Sequence, residues 1–515
     1  MQRLQCIWFS LVLLCGLCMN TGPVSAAVLN VPQEYPTIQA AIDAAVNGDT
    51  VQIAPGHYSG TGFAELNFNG KAITVTSMDG PDTCVIYAPA KTWGVLFESN
   101  ETNDSVITGI TFSHINGSAF YIKGASPTIH NCKALYCDKG VYSDGLAGAG
   151  DDANPVITGS EIAFSTNGGA KFYFSSPVVR DCVILQNGDT GISIRNAYDT
   201  EFTHCLIAGN GSGWNAGGFS ASAGSGRLEY CTIAENIGGN GGGIVIACDG
   251  DYEMVDCIIC DNIAEKGEQI FLDYARYEYH GSVYECGGTL SLSYCAVPDG
   301  PNDVEIELMC YLNLGEGMIR ENALLTFGPL GDYYLSHVDA GQYETSPCFD
   351  TGSTLANAAC FDTTGGTICM NERTTRIDAV PDTGALDMGY HYPPATECDI
   401  FRVRVFMPYR HYTPGRECFC DVHLNNPDLG TLYDAKLFVV LNIAGGFFFA
   451  PSLSGYDCYT LTVPPGEAVL HVLPPFDWPE HAGSCCDVYW LTALFSDDLS
   501  LVYGDIDTFE FGWGQ

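Results

Sequence analysis

Positive charge is what this chain has least of. Lys and Arg together number 20 among 515 residues, against 61 Asp and Glu, which leaves a formal net charge of −41. Neutralising nucleic-acid phosphates takes clustered Lys and Arg, so nucleic acid is excluded as a partner. The same imbalance repels other polyanions at long range unless a divalent cation bridges them. Recognisable catalytic signatures are also missing. There is no G-x-S-x-G and no G-x-x-x-x-G-K-[ST], and the 11 His supply no H-x-x-x-H pair. Triad-hydrolase and nucleotide readings therefore have no support.

Long apolar runs are equally scarce. The first, CIWFSLVLLCGLCM, is 14 residues long and is followed by Val24-Ser25-Ala26. A short run with small residues after it predicts a secretory signal peptide over 1–26, not a membrane span. A later run at 437–450 is too short to span and is interrupted by Asn442. The mature chain is expected to be secreted or surface-attached, with no transmembrane segment. Of the 24 Cys, 21 follow the signal, and export permits disulfides.

What the chain has in abundance is glycine, 59 residues, and an internal repeat. Aligned on one column, T-I-H-N-Cys132, V-I-T-G-Ser160, V-V-R-D-Cys182, E-F-T-H-Cys205, R-L-E-Y-Cys231, E-M-V-D-Cys257 and S-L-S-Y-Cys295 recur at spacings of 28, 22, 23, 26, 26 and 38. Five residues after four of the Cys stand Asn187, Asn210, Asn236 and Asn262. A glycine-rich turn and a short alternating strand come next. Three short strands per period of this length predict one turn of a parallel β-solenoid, whose coils bury their apolar sides by stacking. Equivalent residues of successive coils then lie about 4.8 Å apart. The Cys are expected as stacked buried thiols, and the Asn as a side-chain ladder at a left-handed turn. Upstream, Thr37 caps a helical pattern of Ile38, Ala41, Ile42 and Ala45 that stops at Asn47-Gly48-Asp49. Such a helix would plug the open end of the tube.

The opening P-T-I-Q-A-A-I-D-A-A-x-x-G-D-T-V-x-I-x-P-G-x-Y, then K-A-I-T-V-T-S, then S-P-T-I-x-N-C coils resemble the right-handed parallel β-helix proteins of the pectin-lyase-like superfamily. The likeness covers roughly residues 28–393. It closes on T-R-I-D-A-V-P-D-T-G-A-L-D-M-G-Y-H-Y (375–392), which resembles the terminal segment of secreted bacterial β-helix repeat proteins. The opening is also similar to pectin methylesterases, but their Q-D-T-L, D-F-[IV]-F-G and L-G-R-P-W segments have no counterpart here. The fold this implies is all-β: a right-handed parallel β-helix over 27–395, with three strands per coil and an N-terminal capping helix.

Residues 396–515 lose the repeat and gain aromatic residues and proline-rich turns. Their strand-like runs predict an antiparallel, Ig-like β-sandwich. Its six Cys (398, 418, 420, 458, 485 and 486) are an even number, which allows disulfides. Trp478, Trp490 and Trp513 offer either a sugar platform or core.

Alternation along the solenoid strands turns Ile192, Ile194, Phe219, Ile244 and Ile246 inward. Tyr142, Lys171, Tyr173, Ser193, Arg195 and Ser220 are then expected on one outer face. Aromatic rings stack on pyranose faces and cations meet carboxylates, so this face suits a polysaccharide or cell-surface glycan. Tyr142, Tyr173, Ser193 and Ser220 are the expected substrate contacts. An insertion at 143–155 would overhang the face, and its Asp144, Asp151 and Asp152 are the candidate ligands for Ca²⁺. The resemblance to the superfamily's lyases implies Lys171 or Arg195 as the base that removes a proton beside a uronate carboxylate. Two functions follow: an exported, non-catalytic glycan-binding protein, or a pectate-lyase-like polysaccharide lyase using Ca²⁺.

Overall fold

The computed structural model describes residues 26–513 apart from 146–152, 212–215, 280–281, 343, 396–401, 408–410, 413, 416, 427–430, 444, 454–455, 480, 482–484 and 500–501. The expected signal peptide lies outside the described residues. Among the described residues, no helix is long and apolar enough to cross a membrane.

The chain opens with a capped end. Thr37 Oγ1 accepts the amide of Ala40 at 3.2 Å, and the helix Ile38–Ala44 buries Ile38, Ala41 and Ile42 over the first coil. From there the chain winds as a parallel β-solenoid with three strands per coil. One wall is a nine-stranded parallel sheet whose strands follow chain order from Gly56–Tyr58 to Ile258–Cys260. The other strands join in a 20-stranded sheet. Its face-forming strands are β1 (Trp93–Phe97), β2 (Ser118–Lys123), β3 (Lys139–Asp144), β4 (Ala170–Tyr173), β5 (Ile192–Thr203), β6 (Phe219–Glu229) and β7 (Ile244–Val255), each parallel to the next. In β5, β6 and β7 the last strand of one coil runs through a bend into the first strand of the next, with register shifts at 197/200 and 222/224.

The interior is filled in columns. Ile192, Ile194, Phe219, Ile244 and Ile246 are buried to 2% exposure or less. Cys132, Cys182, Cys205, Cys231, Cys257 and Cys295 are buried free thiols. The Cys205 amide lies 3.4 Å from Cys231 Sγ, and the Cys231 amide 3.5 Å from Cys257 Sγ. Burial pushes the Cys132 and Cys182 thiols up to about 12, so these groups stay protonated and serve as small apolar fillers. The Asn column is continuous: Asn187 Nδ2 donates to Asn210 at 2.8 Å, Asn210 to Asn236 at 3.0 Å, and Asn236 to Asn262 at 2.9 Å. Gln269 and Asp303 extend it. The left-handed turn falls one residue earlier than expected. Gln186, Gly209, Glu235 and Asp261 carry positive φ, not the Asn themselves. The residue before each Cys does the same at the other bend: Asp181, His204, Tyr230 and Asp256 have φ between 53° and 55°.

The spacing of 38 before Cys295 has a plain cause. An antiparallel hairpin, β8 (Ile270–Tyr279) and β9 (Ser282–Gly287), is inserted there, and the disulfide Cys248–Cys286 ties it to β7.

After the last coil the chain doubles back as a strap over the nine-stranded wall. Tyr333, Tyr334, Leu335, Met388, Tyr390 and Tyr392 bury Leu206, Ala208, Ala234, Ile258 and Cys260. Those wall strands read L-I-A, T-I-A and I-I-C, apolar on both faces because both are covered.

Residues 402–513 form antiparallel sheets that pack as a sandwich around Val403, Val422, Leu437, Val439 and Trp490. Trp490 is fully buried, and Trp478 and Trp513 pack against that core, which assigns them to packing. The disulfides allowed by the even Cys count are not seen at Cys418, Cys420 or Cys458, which are free. The described disulfides lie upstream, at Cys248–Cys286 and Cys360–Cys369.

Candidate functional site

Register decides what the outer face carries. Tyr121, Tyr142, Lys171, Ser193 and Ser220 stand on one line across β2 to β6, and Lys123, Asp144, Tyr173, Arg195 and Ser222 on the next. Ring contacts form a row that shifts along the strands: Trp93 stands opposite Ser118, three residues before Tyr121, and Tyr173 stands two positions beyond the Tyr142 line. Trp93 to Tyr121 is 6.3 Å between centroids, Tyr121 to Tyr142 is 5.5 Å, and Tyr142 to Tyr173 is 5.8 Å. Arg195 extends the row, its guanidinium carbon 5.8 Å from the centre of the Tyr173 ring. Burial, then the Asp144 carboxylate beside it, raises the Tyr142 phenol, which stays neutral.

The six outer-face residues expected from alternation thus share one surface. Lys171 is ion-paired to Asp189 at 3.0 Å, with its side chain 16% exposed. An ion pair of this kind opposes the use of its amine as a general base. Asp144 ends β3 in register with Lys123 and Tyr173. Asp151 and Asp152 lie outside the described residues.

A second charged site lies past the bend of the same strands. Asp199, Glu201, Arg227, Glu229, Asp251, Tyr252 and Glu253 line a groove of about 560 Å³. Arg227 is clamped between Glu229 at 2.7 Å and Glu253 at 3.1 Å, and Arg180 pairs with Glu201 at 2.7 Å. Burial raises the Glu229 carboxyl, against the lowering effect of Arg227. Sequence reading did not single out this groove; the signal that could have found it is the charged column four residues before Cys205, Cys231 and Cys257, namely Glu201, Arg227 and Glu253, with Glu229 two residues before Cys231.

The third cluster holds the strap. His204 is buried, and its Nε2 accepts the amide of His391 at 2.9 Å. The ring proton is therefore on Nδ1, donated to Asp181 at 2.9 Å. Arg373 pairs with the same Asp181 at 3.2 Å, and Tyr390 stacks on the His204 ring at 4.4 Å. Beyond them, Asp382, Asp387 and His391 bring three donor atoms within 4.8 Å of one another. That donor set resembles a metal centre, but the fold already employs its atoms. Asp382 takes the Asp387 amide and His391 Nε2, and Asp387 takes the Asp350 amide and the Thr375 hydroxyl. The cluster works as a hydrogen-bonded lock. Further along, Asp256 accepts the amide and hydroxyl of Ser353, both at 2.6 Å.

The comparisons with known proteins agree with this architecture. Residues 93–259 and 144–301 match the family described as right handed beta helix region. This match agrees with the right-handed parallel β-helix fold seen in the solenoid. Among solved structures it is similar to a crystal structure of the Agl-KA catalytic domain, at 14% identity and a TM-score of 0.30, over 58% of this chain and 69% of that one. No curated protein matches it.

Proposed function

We propose that this is an exported bacterial β-helix protein that binds polysaccharide through the outer face of β1–β5 and does not cleave it. The row Trp93, Tyr121, Tyr142, Tyr173 and Arg195 carries this reading. Half-buried rings held by a rigid sheet lose little entropy when a ligand arrives, and their faces suit sugar C–H surfaces. Ser193 and Ser220 continue the surface with hydroxyls. The apolar N-terminal run followed by small residues supports export. The test is binding of the full mature chain to a panel of soluble and insoluble polysaccharides. Tyr142→Ala and Tyr173→Ala should each weaken binding about three- to tenfold, the range expected for one lost stacking contact. Unchanged binding by both variants would remove this face from the proposal.

A second reading, a glycan-cleaving enzyme, is favoured by one observation: an arginine and a carboxyl of raised pKa meet in the groove at Arg227 and Glu229. In its lyase form, Ca²⁺ held by Asp144, Asp151 and Asp152 would bridge a uronate chain to an acidic protein. Ultraviolet absorbance of unsaturated product from polygalacturonate or alginate with Ca²⁺ tests the lyase. Reducing-sugar release tests hydrolysis, and Glu229→Gln should abolish either activity. Flat traces in both assays leave the binding reading alone.

A further inference from the structure

We infer that the ligand of the aromatic face is an uncharged glycan that crosses β1–β4 obliquely; the inference rests on the binding reading above and gives it a substrate class and a direction. The direction comes from the row itself. Its four rings sit on four successive strands, β1 to β4, and Arg195 on the fifth. At about 4.8 Å per strand, the rings span roughly 14 Å along the axis. A chain laid along one strand would meet one ring; because Trp93 stands three residues before the Tyr121 position and Tyr173 two residues beyond the Tyr142 position, a chain that meets all four crosses the strands obliquely.

A second aromatic column shows why this row is the available one. Tyr87, His114, Tyr136 and Phe164 stand at a corner of the coil with centroids 5.1, 5.1 and 4.8 Å apart. His114 and Tyr136 are inclined by 29°, and Tyr136 and Phe164 by 10°. His114, Tyr136 and Phe164 spend faces on one another, whereas Tyr87 is inclined by 53° to His114. On the sheet face, successive rings are inclined by 58°, 61° and 85°. They do not close into a stack, and ring faces remain for a ligand.

The charge class comes from how the cations are placed. Lys171 is paired with Asp189. Lys123 stands directly opposite Asp144 in the β2–β3 register. Arg195 lies over the Tyr173 ring. A uronate polymer brings a carboxylate on every sugar and would need a cation for each, yet among the described residues the face supplies one, Arg195, that no carboxylate opposes in register. It would also approach a molecule of net charge −41. A neutral chain avoids both penalties, and the Tyr and Ser hydroxyls can bond its own hydroxyls.

The experiment is calorimetry of the full mature chain with neutral oligosaccharides (gluco-, xylo- and manno-oligomers) and with oligogalacturonate and oligoalginate, at 20 and 300 mM NaCl, with and without Ca²⁺. The expected result is binding of at least one neutral oligomer, with a Kd that changes less than twofold with salt and weakens in Tyr142→Ala and Tyr173→Ala. Binding that increases with oligomer length up to the length of the row supports a ligand that follows the row. If a uronate binds more tightly than every neutral oligomer, and Arg195→Gln or added salt abolishes that binding, the charge class is overturned while the face keeps its role. If no glycan binds, or if both Tyr variants bind as the parent does, the underlying face reading falls as well.

Discussion

Asn210 is bonded in three directions at once. Its side chain donates to Asn236, Ile184 and Ala208, and its carbonyl accepts both the amide and the side chain of Asn187. Replacing it with Ala orphans buried groups on two coils, at about 1–3 kcal/mol for each group left unsatisfied. Asn210→Ala is therefore expected to cost on the order of 3 kcal/mol or more. Urea denaturation measures it; a loss under about 1 kcal/mol would mean that water replaces the ladder. Titration in the strap lock is the second residue-scale test. Burial, then the neighbouring Asp382, pushes the Asp387 carboxyl up to about 6. A carboxyl raised in the folded state favours folding below its ordinary pKa and loses that advantage as pH rises through about 6. The swing is on the order of 3 kcal/mol. Buried His204 has the opposite sign: burial lowers it, so its contribution is complete above the ordinary imidazole pKa and is lost as pH falls below that. Asp387→Asn should remove the decline between about pH 4 and 6 in thermal unfolding and leave the acid-side loss in place. An unchanged profile would show that Asp387 is not the titrating group. Side chains locked to the repeat, such as the Cys and Asn columns, were readable in advance because each must match its own copy above and below. Asp181 and His204 were not, because the strap residues they hold, Arg373 and His391, are 192 and 187 residues away in a segment with no period.

Among elements, the capping helix and the coils were legible for the same reason: a period of 3.6 or of one coil repeats a local rule. The strap has no such rule. Its only sequence trace is indirect, in wall strands that turn apolar on both faces from Leu206 onward. The β8–β9 hairpin is visible only as one long interval between Cys257 and Cys295. Its attachment at Cys248–Cys286 closes a loop across a sequence separation of 38. Removing that bridge with Cys248→Ser and Cys286→Ser should cost about 2–4 kcal/mol locally. The expected signature is faster proteolysis within the hairpin while the Cys182–Cys257 coils keep their hydrogen-exchange protection; simultaneous loss in both would show one cooperative unit. Of the candidate site, Tyr142, Tyr173 and Arg195 were legible from alternation, whereas Trp93 and Tyr121, on the two preceding coils, were not singled out. The groove was missed because charged columns in a repeat look like solvent-facing positions until the bend makes them converge.

At the scale of the whole molecule, 61 acidic against 20 basic groups act on one rigid tube. Self-repulsion of this size destabilises a compact state and is screened within about 10 Å at 0.1 M salt. Thermal stability should accordingly rise between 10 and 150 mM NaCl; a fall would mean that the ion pairs at Arg180, Arg227 and Lys171 outweigh the surplus. The strap adds a constraint of another kind. It is bonded to the tube at Thr158, Asp181, His204, Thr232 and Asp256, at least one fixed point on each of five successive coils. A strap of set length with fastenings at set intervals counts rungs. Duplicating residues 232–257 would insert one more coil under it and move the outer fastenings about 4.8 Å apart, which the fastened strap has no slack to follow. Duplicating a coil ahead of it, such as 74–105, would lengthen the tube and leave every fastening in place. Growth by repeat gain is thereby confined to the N-terminal side, and the number of coils beneath the strap is held constant.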